Sequence, residues 1–290
     1  MNAKAHRLLE LALSPISRAI TGLAEHRKII LCYHSVHPTA KFRSVTPDEF
    51  EKQVAWLAEN SKVVRPDELV DAKPEGKLPH VAITFDDGYE DNYTNAFRIC
   101  QAYGVPFAVY PTLGLVENNE YAKSRYLDLL KDRRDIFNAL TWKQLEEMHA
   151  AGVEIGSHTW DHPSLASLSD DNLEWQLGHS KEMLESRLGL RNIGIAYPFG
   201  KRGRHVTRRE AAATRKLGYS YGACVEHWAV SPNEDRFMLP RFIINKGSLQ
   251  LISSVLKGNR DYLGWMQKRV PAAFAKPFSP EDFTEQKWQD

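Results

Sequence analysis

Short apolar runs and amphipathic helices alternate along most of this chain, and that alternation leaves few folds open to it. Residues 28–33, Lys-Ile-Ile-Leu-Cys-Tyr, read as a buried strand, being short, continuous and rich in β-formers. Residues 47–59 read as an amphipathic helix, opened by Thr46 ahead of Pro47 and closed into a capping box by Glu49. Further strands are expected at 80–85, 105–110, 153–158, 193–197, 219–225 and 242–244. Helices are expected near 92–103, 142–151, 169–188 and 206–217, stopped by Gly104, Gly152, Gly189 and Gly218. Such alternation implies an α/β fold, a parallel sheet with helices outside, because each return to a parallel neighbour needs a crossover that covers the sheet. The sheet is either open or closed into a barrel.

The rhythm runs from residue 28 to about 245, and 290 residues suit one large domain. Three segments result. Residues 1–27 hold an amphipathic helix with Leu9, Leu13, Ile16, Ile20 and Leu23 at helical spacing. It either packs on the outside of the domain or lies on a membrane surface, which its basic flank permits. Residues 28–245 are expected to form the α/β domain, and residues 246–290 an aromatic-rich tail packed on it. An apolar content of 42% and a charged content of 26% are ordinary for a soluble globular chain. A net charge of +1 gives no drive toward nucleic acid. Cys32, Cys100 and Cys224 form no CxxC pair and read as small buried hydrophobes. No apolar run is long enough to span a membrane, and Glu10 and Pro15 break the one stretch that could begin a secretory signal. The expected location is the cytoplasm, with peripheral membrane contact through the first helix as an option.

Two motifs carry the chemistry, and both fall at the C-terminal ends of expected strands, the active face of a (β/α) barrel. Thr84-Phe85-Asp86-Asp87-Gly88 supplies adjacent carboxylates after a buried run. Ser157-His158-Thr159-Trp160-Asp161-His162-Pro163 supplies two imidazoles with three residues between them, with Ser157 and Asp161 as candidates to brace them. Asp-Asp-Gly alone would read as a turn, and a lone HxxxH is weak in a chain with eleven histidines. Together they make an incomplete metal shell with a spare carboxylate. Asp87, His158 and His162 suit a borderline divalent ion, Zn2+ first, with Co2+, Ni2+ or Fe2+ as alternatives. Asp86 is then free to act as general base.

These two motifs resemble the first and second motifs of the polysaccharide deacetylases, the carbohydrate esterase family 4 or NodB-homology proteins. The resemblance runs from about Pro79 to Arg241. It implies a distorted (β/α)7 barrel that removes acetyl groups from N- or O-acetylated sugars, with Asp86 as base and Asp87, His158 and His162 on the metal. The family's third motif has arginine where this chain has Ala196, ahead of Tyr197-Pro198-Phe199. By the resemblance, the Phe199 N–H helps to stabilise the oxyanion. Arg241 is a candidate to replace the missing guanidinium, its alternative being a rim salt bridge. The family's C-terminal Leu-x-His is missing, but Leu31-Cys32-Tyr33-His34 resembles the early histidine of the branch related to poly-N-acetylglucosamine deacetylases. His34 is therefore the expected general acid.

The expected substrate is an N-acetylated sugar or glycan, free, nucleotide-linked, lipid-linked or polymeric. The alternatives are O-deacetylation, deformylation of a small substrate, and a barrel that only binds carbohydrate. Trp160, Trp228 and Trp265 are candidate sugar-stacking residues, although aromatics are more often core. Lys201, Arg202, Arg204, His205, Arg208 and Arg209 follow the Pro198-Phe199-Gly200 loop. They form either a solvated basic face or a contact for substrate phosphate, Arg202 and Arg204 being the foremost candidates.

Overall fold

The structure is a computed structural model that describes residues 27–39, 43–73, 77–130, 137–244 and 248–261. Residues 1–26 of the expected N-terminal helix segment and most of the tail, Trp265 included, lie outside them. The strands are β1 (Lys28–Tyr33), β2 (Ser35–Val36), β3 (Ser44–Val45), β4 (Lys62–Val63), β5 (His80–Asp87), β6 (Ala108–Pro111), β7 (Glu154–Ile155), β8 (Gly194–Ala196), β9 (Tyr221–Ala223) and β10 (Phe242–Ile243).

The central sheet is parallel, in the order β10-β1-β5-β6-β7, and β4 joins the first residues of β5. β8 and β9 pair with each other in a second parallel ladder. Single bridges connect the two ladders: Ser157 to Ile195 on one side and Ala223 to Leu239 on the other. Hydrogen bonds reinforce both seams, from Ser157 N to Gly194 O at 2.9 Å and from Cys224 N to Leu239 O at 2.7 Å. The seven strands β1, β5, β6, β7, β8, β9 and β10 thus surround a common interior without one continuous ladder, a distorted barrel. The strand expected over 153–158 shrinks to two residues for this reason. Gly156 N still bonds Val109 O on β6, but the next amide turns to Gly194 on β8.

Alternation along the strands divides the core. One set of side chains, among them Leu31, Tyr33, Val81, Ile83, Phe85 and Val109, packs outward under the helices. The other set, Ile30, Ala82, Ala108, Tyr110, Ala196, Tyr221 and Leu239, fills the interior. Small residues there leave room for tyrosines. A Cβ on Gly194 would lie 2.1 Å from the Tyr221 ring, so only glycine fits. Tyr110 and Tyr221 meet at 2.6 Å through their hydroxyls.

The helices form where capping predicts. Pro47–Asn60 starts on Thr46, whose side chain accepts from Glu49 N while Glu49 reaches back. Asp170–Leu188 starts on Ser169 and ends at Gly189 in a left-handed conformation. The expected helix near 92–103 divides into a π-turn, Asn92–Phe97, and a short α-helix, Arg98–Ala102. Pro66–Asp71 and Glu120–Leu130 add helices that periodicity missed. The compact unit also runs past residue 245. Helix Leu249–Leu256 buries Ile252, Val255 and Leu256 in the core and packs on Pro47–Asn60. Asp261 pairs with Arg27 at 2.7 Å, both buried.

Candidate active site

β5 carries Asp86 inward and then turns sharply. Asp86 keeps the strand's alternation and joins Cys32 and Thr84 in the barrel interior. Asp87 adopts φ +72°, a left-handed conformation that costs a non-glycine residue about 1 kcal/mol or more. Gly88 follows at φ +79°, where an added Cβ would lie 2.8 Å from Pro111 Cα. Thr159, His162 and Phe199 are also left-handed, at φ +68°, +60° and +60°. Strain of this kind collects where side chains must converge against local backbone preference.

His158 and His162 converge on Asp87. Both Nε2 atoms lie 3.3 Å from Asp87 Oδ1, and the rings stand 4.8 Å apart. All three residues are buried, and their ligand atoms fall within one small group. His158 Nδ1 lies 2.7 Å from the Ala196 carbonyl, an acceptor only, so Nδ1 donates there and Nε2 is the atom turned toward Asp87. Asp87 Oδ1 lacks hydrogen-bond geometry to any partner. Two imidazole nitrogens and a carboxylate oxygen facing one point, with no hydrogen bond made by that oxygen among the described residues, fit a divalent cation. For His162, burial outweighs the pull of Asp87 and moves the imidazole below its ordinary pKa, toward the neutral form a metal needs.

The bracing of this loop differs from the sequence expectation. Neither Ser157 nor Asp161 bonds an imidazole. Ser157 Oγ accepts from Thr159 N at 3.0 Å and donates to Ser180, which fixes the left-handed turn. Asp161 accepts from Gln176 at 2.6 Å and faces Arg125 at 3.8 Å. Tyr126, on a helix the sequence reading missed, packs its ring edge-on to His162 at 5.5 Å. Trp160 packs against Trp175 and His179 of helix Asp170–Leu188.

Asp86 has its own partner. Arg241, fully buried just before β10, donates from Nη1 to Oδ1 and from Nη2 to Oδ2, both at 2.7 Å. The guanidinium is fixed in turn by the Cys224 carbonyl and Thr84 Oγ1, both at 3.1 Å, and lies over the Tyr110 ring. The rim salt bridge is thereby excluded, and the guanidinium missing at position 196 reaches the carboxylate from another strand. Burial pushes the Asp86 carboxyl up, but Arg241, with help from His158 and His34, brings it down to about 2. Cys32, read from sequence only as a buried hydrophobe, is buried but also donates its thiol to Asp86 Oδ2 at 3.3 Å.

His34 follows β1 at the same mouth, and its ring nitrogen falls in one group with Cys32 Sγ and an Asp86 oxygen. Asn92, presented by the π-turn, donates to the His34 carbonyl at 2.8 Å. Asp91 accepts from Ser35 Oγ at 2.6 Å and Val36 N at 3.0 Å, which holds the arm after His34 in place. His34 Nε2 lies 3.1 Å from Arg43 Nη1, a contact that no motif in the sequence announces. Phe199 packs its ring on His162 at 4.7 Å, and its N–H has no hydrogen-bond acceptor among the described residues. The six-residue basic cluster divides. Arg202 is committed to Glu226, Glu234 and the Met238 carbonyl, and Arg209 to Glu210, Asp170 and the carbonyls of Leu165 and Leu168. Arg202 is therefore structural and unavailable to a phosphate.

A distorted parallel barrel with an Asp-His-His group at its strand ends, beside an arginine-clamped carboxylate, has the architecture of the NodB-type carbohydrate deacetylases. The chain belongs to the polysaccharide deacetylase family, whose sequence model matches residues 73–222. It is 27% identical over 221 residues to the poly-beta-1,6-N-acetyl-D-glucosamine N-deacetylase of Staphylococcus epidermidis, covering 72% of this chain and 71% of that one. The structure of the Streptococcus pyogenes deacetylase PplD in complex with acetate superposes with a TM-score of 0.66 at 25% identity, covering 80% of this chain and 99% of that one. IcaB from Ammonifex degensii shares the fold, with a TM-score of 0.64 at 23% identity over 82% of this chain and 98% of that one.

Proposed function

We propose that this protein hydrolyses the acetamide of an N-acetylated glycan to a free amine and acetate, with a divalent metal held by Asp87, His158 and His162. The observation that carries the reading is the convergence of two imidazole Nε2 atoms and a carboxylate oxygen beside a second carboxylate that faces the same mouth. A divalent ion bound there, Zn2+ before Co2+, Ni2+ or Fe2+, supplies a Lewis acid for the acetamide carbonyl and acidifies the attacking water.

The remaining work falls to side chains. Asp86, ionised throughout the working range, takes the proton of the attacking water, and Arg241 fixes its orientation. The Phe199 N–H donates to the oxygen that gains charge as the carbonyl carbon becomes tetrahedral. His34 delivers a proton to the departing nitrogen, and the amine leaves. The staphylococcal relative, named for an N-acetyl-D-glucosamine polymer, supports the choice of an N-acetylated glycan over an O-acetyl or formyl substrate. No helix among the described residues is long and apolar enough to cross a membrane. Cytoplasmic placement, with residues 1–27 against a membrane surface, is a proposal that rests on the sequence and is tested by cell fractionation.

The test is mass spectrometry of N-acetylglucosamine oligomers and their O-acetylated counterparts after incubation with metal-loaded protein. Loss of one acetyl from nitrogen, with equimolar acetate, is the expected result. Turnover of the O-acetylated sugars alone would replace the proposal with an esterase. Bound metal without turnover of either would leave a carbohydrate-binding barrel.

A further inference from the structure

The turn after Phe199 leaves one arginine unexplained. Gly200 N bonds the Pro198 carbonyl at 2.7 Å, and the Gly200 carbonyl accepts from Val225 N at 2.8 Å, which fixes the start of the turn. The Lys201 carbonyl then accepts from the amides of Arg204, His205 and Val206, with Gly203 at φ +74° to close the curve. Arg204 is thus presented by a rigid backbone only a few residues past the Phe199 amide. His205, beside it, lays its ring on Phe199 at 5.1 Å, and Phe199 lies on His162.

Three other arginines near this turn are committed. Arg202 holds Glu226 and Glu234, Arg209 holds Glu210 and Asp170, and Arg215 holds Asp235. Arg204 is half-buried, forms no ion pair among the described residues, and keeps Nη1 buried without a hydrogen-bond partner. His205 Nδ1 is in the same condition. A buried guanidinium nitrogen without an acceptor is costly unless a water or a ligand completes it. Arginine takes planar oxyanions in its fork better than any other side chain.

We propose that Arg204, with His205 beside it, forms a subsite for an oxyanion, a phosphate or a carboxylate, carried by the glycan next to its scissile acetamide. The proposal deepens the deacetylase reading and depends on it for the identity of the sugar, though not for the anion site itself. It makes the enzyme selective for acidic glycans over neutral ones of equal length.

Two measurements test it. Calorimetric titration of the metal-loaded protein with inorganic phosphate reads the subsite without turnover. Binding is expected in the wild type and in Arg208→Ala, an exposed arginine outside the turn, and is expected to weaken about tenfold or more in Arg204→Ala, with partial recovery in Arg204→Lys. Equal binding in wild type and Arg204→Ala, or none in the wild type, overturns the subsite. The second measurement compares kcat/KM on a neutral N-acetylglucosamine oligomer with the same oligomer bearing a phosphate monoester or a carboxylate. Arg204→Ala should lower the acidic-to-neutral ratio about tenfold through KM, and the substrate that loses more identifies the anion. An unchanged ratio counts against the proposal. Failure of all three oligomers to react would sink the deacetylase reading while the phosphate titration still decides the subsite.

Discussion

At the scale of single residues, the site orients two of its key groups through hydrogen bonds made before substrate arrives. His158 has one nitrogen on the Ala196 carbonyl, which leaves the other for a metal. Asp86 has both oxygens on Arg241, which holds it charged in a buried place. Removing one partner of such a pair strands the other, at a cost of about 3–5 kcal/mol. Arg241→Ala should therefore lose stability of that order in calorimetric unfolding and lower kcat at least about a hundredfold, while Arg241→Lys, with the charge but not the fork, falls between. A wild-type kcat in Arg241→Ala would remove the clamp from the mechanism. Metal and proton transfer also separate at this scale. Asp87→Ala and His162→Ala should purify with little metal by plasma mass spectrometry. His34→Ala should retain full metal content while kcat falls roughly 10²–10⁴-fold, the usual worth of a general acid. Loss of metal from His34→Ala would place that imidazole on the ion instead.

At the scale of elements, what the sequence disclosed and what it hid have separate causes. Strand β1 and the helix from Pro47 appear where the apolar periods and the Thr46 capping box put them, because those signals are local. The two motifs were legible because all four metal and base candidates, Asp86, Asp87, His158 and His162, sit in two short stretches. Adjacent residues at a strand end diverge, as Asp86 and Asp87 do. Arg241 was only a candidate, since its pairing with Asp86 spans 155 residues and follows from the strand order β10-β1-β5, which no local pattern encodes. Arg43 and Cys32 gave no sign at all. Their roles come from the neighbours that the ring of strands brings to them. The β5 turn shows how an element fixes the site. Gly88→Ala would place a side chain on a left-handed backbone and against Pro111. A loss of roughly 2–4 kcal/mol in urea unfolding is expected, with weakened metal binding because Asp87 moves with the turn. Unchanged metal affinity in that variant would show that Asp87 is positioned independently of Gly88.

At the scale of the whole molecule, the barrel has two polar ends of opposite design. The upper end holds the ionised groups just described. Below them, the Tyr110 hydroxyl meets Tyr221, and Tyr221 donates to Glu154 at the start of β7. Glu154 also accepts from the Asp67 amide at 3.1 Å, at the first turn of helix Pro66–Asp71. No cation pairs with it among the described residues. Burial first, and then the neighbouring Asp67 charge, push its carboxyl from an ordinary 4.5 up to about 8, against the hydrogen bonds that favour its charge. Because the folded protein holds this proton more tightly than the unfolded chain, the stabilisation is complete below pH 4.5 and declines as pH rises toward about 8. Asp86 has the opposite sign: its stabilisation is present above its ordinary 3.8 and is lost only as pH falls toward about 2. Between pH 5 and 8 the slope from this pair therefore belongs to Glu154. Glu154→Gln, which cannot ionise and still accepts from Tyr221, should flatten that slope. Its Tm relative to wild type should rise steadily from pH 5 to pH 8 in scanning calorimetry, by several degrees over the range. A constant difference across those pH values would mean that Glu154 is already ionised in the folded barrel, and that Tyr221 donates to a carboxylate rather than to a carboxylic acid.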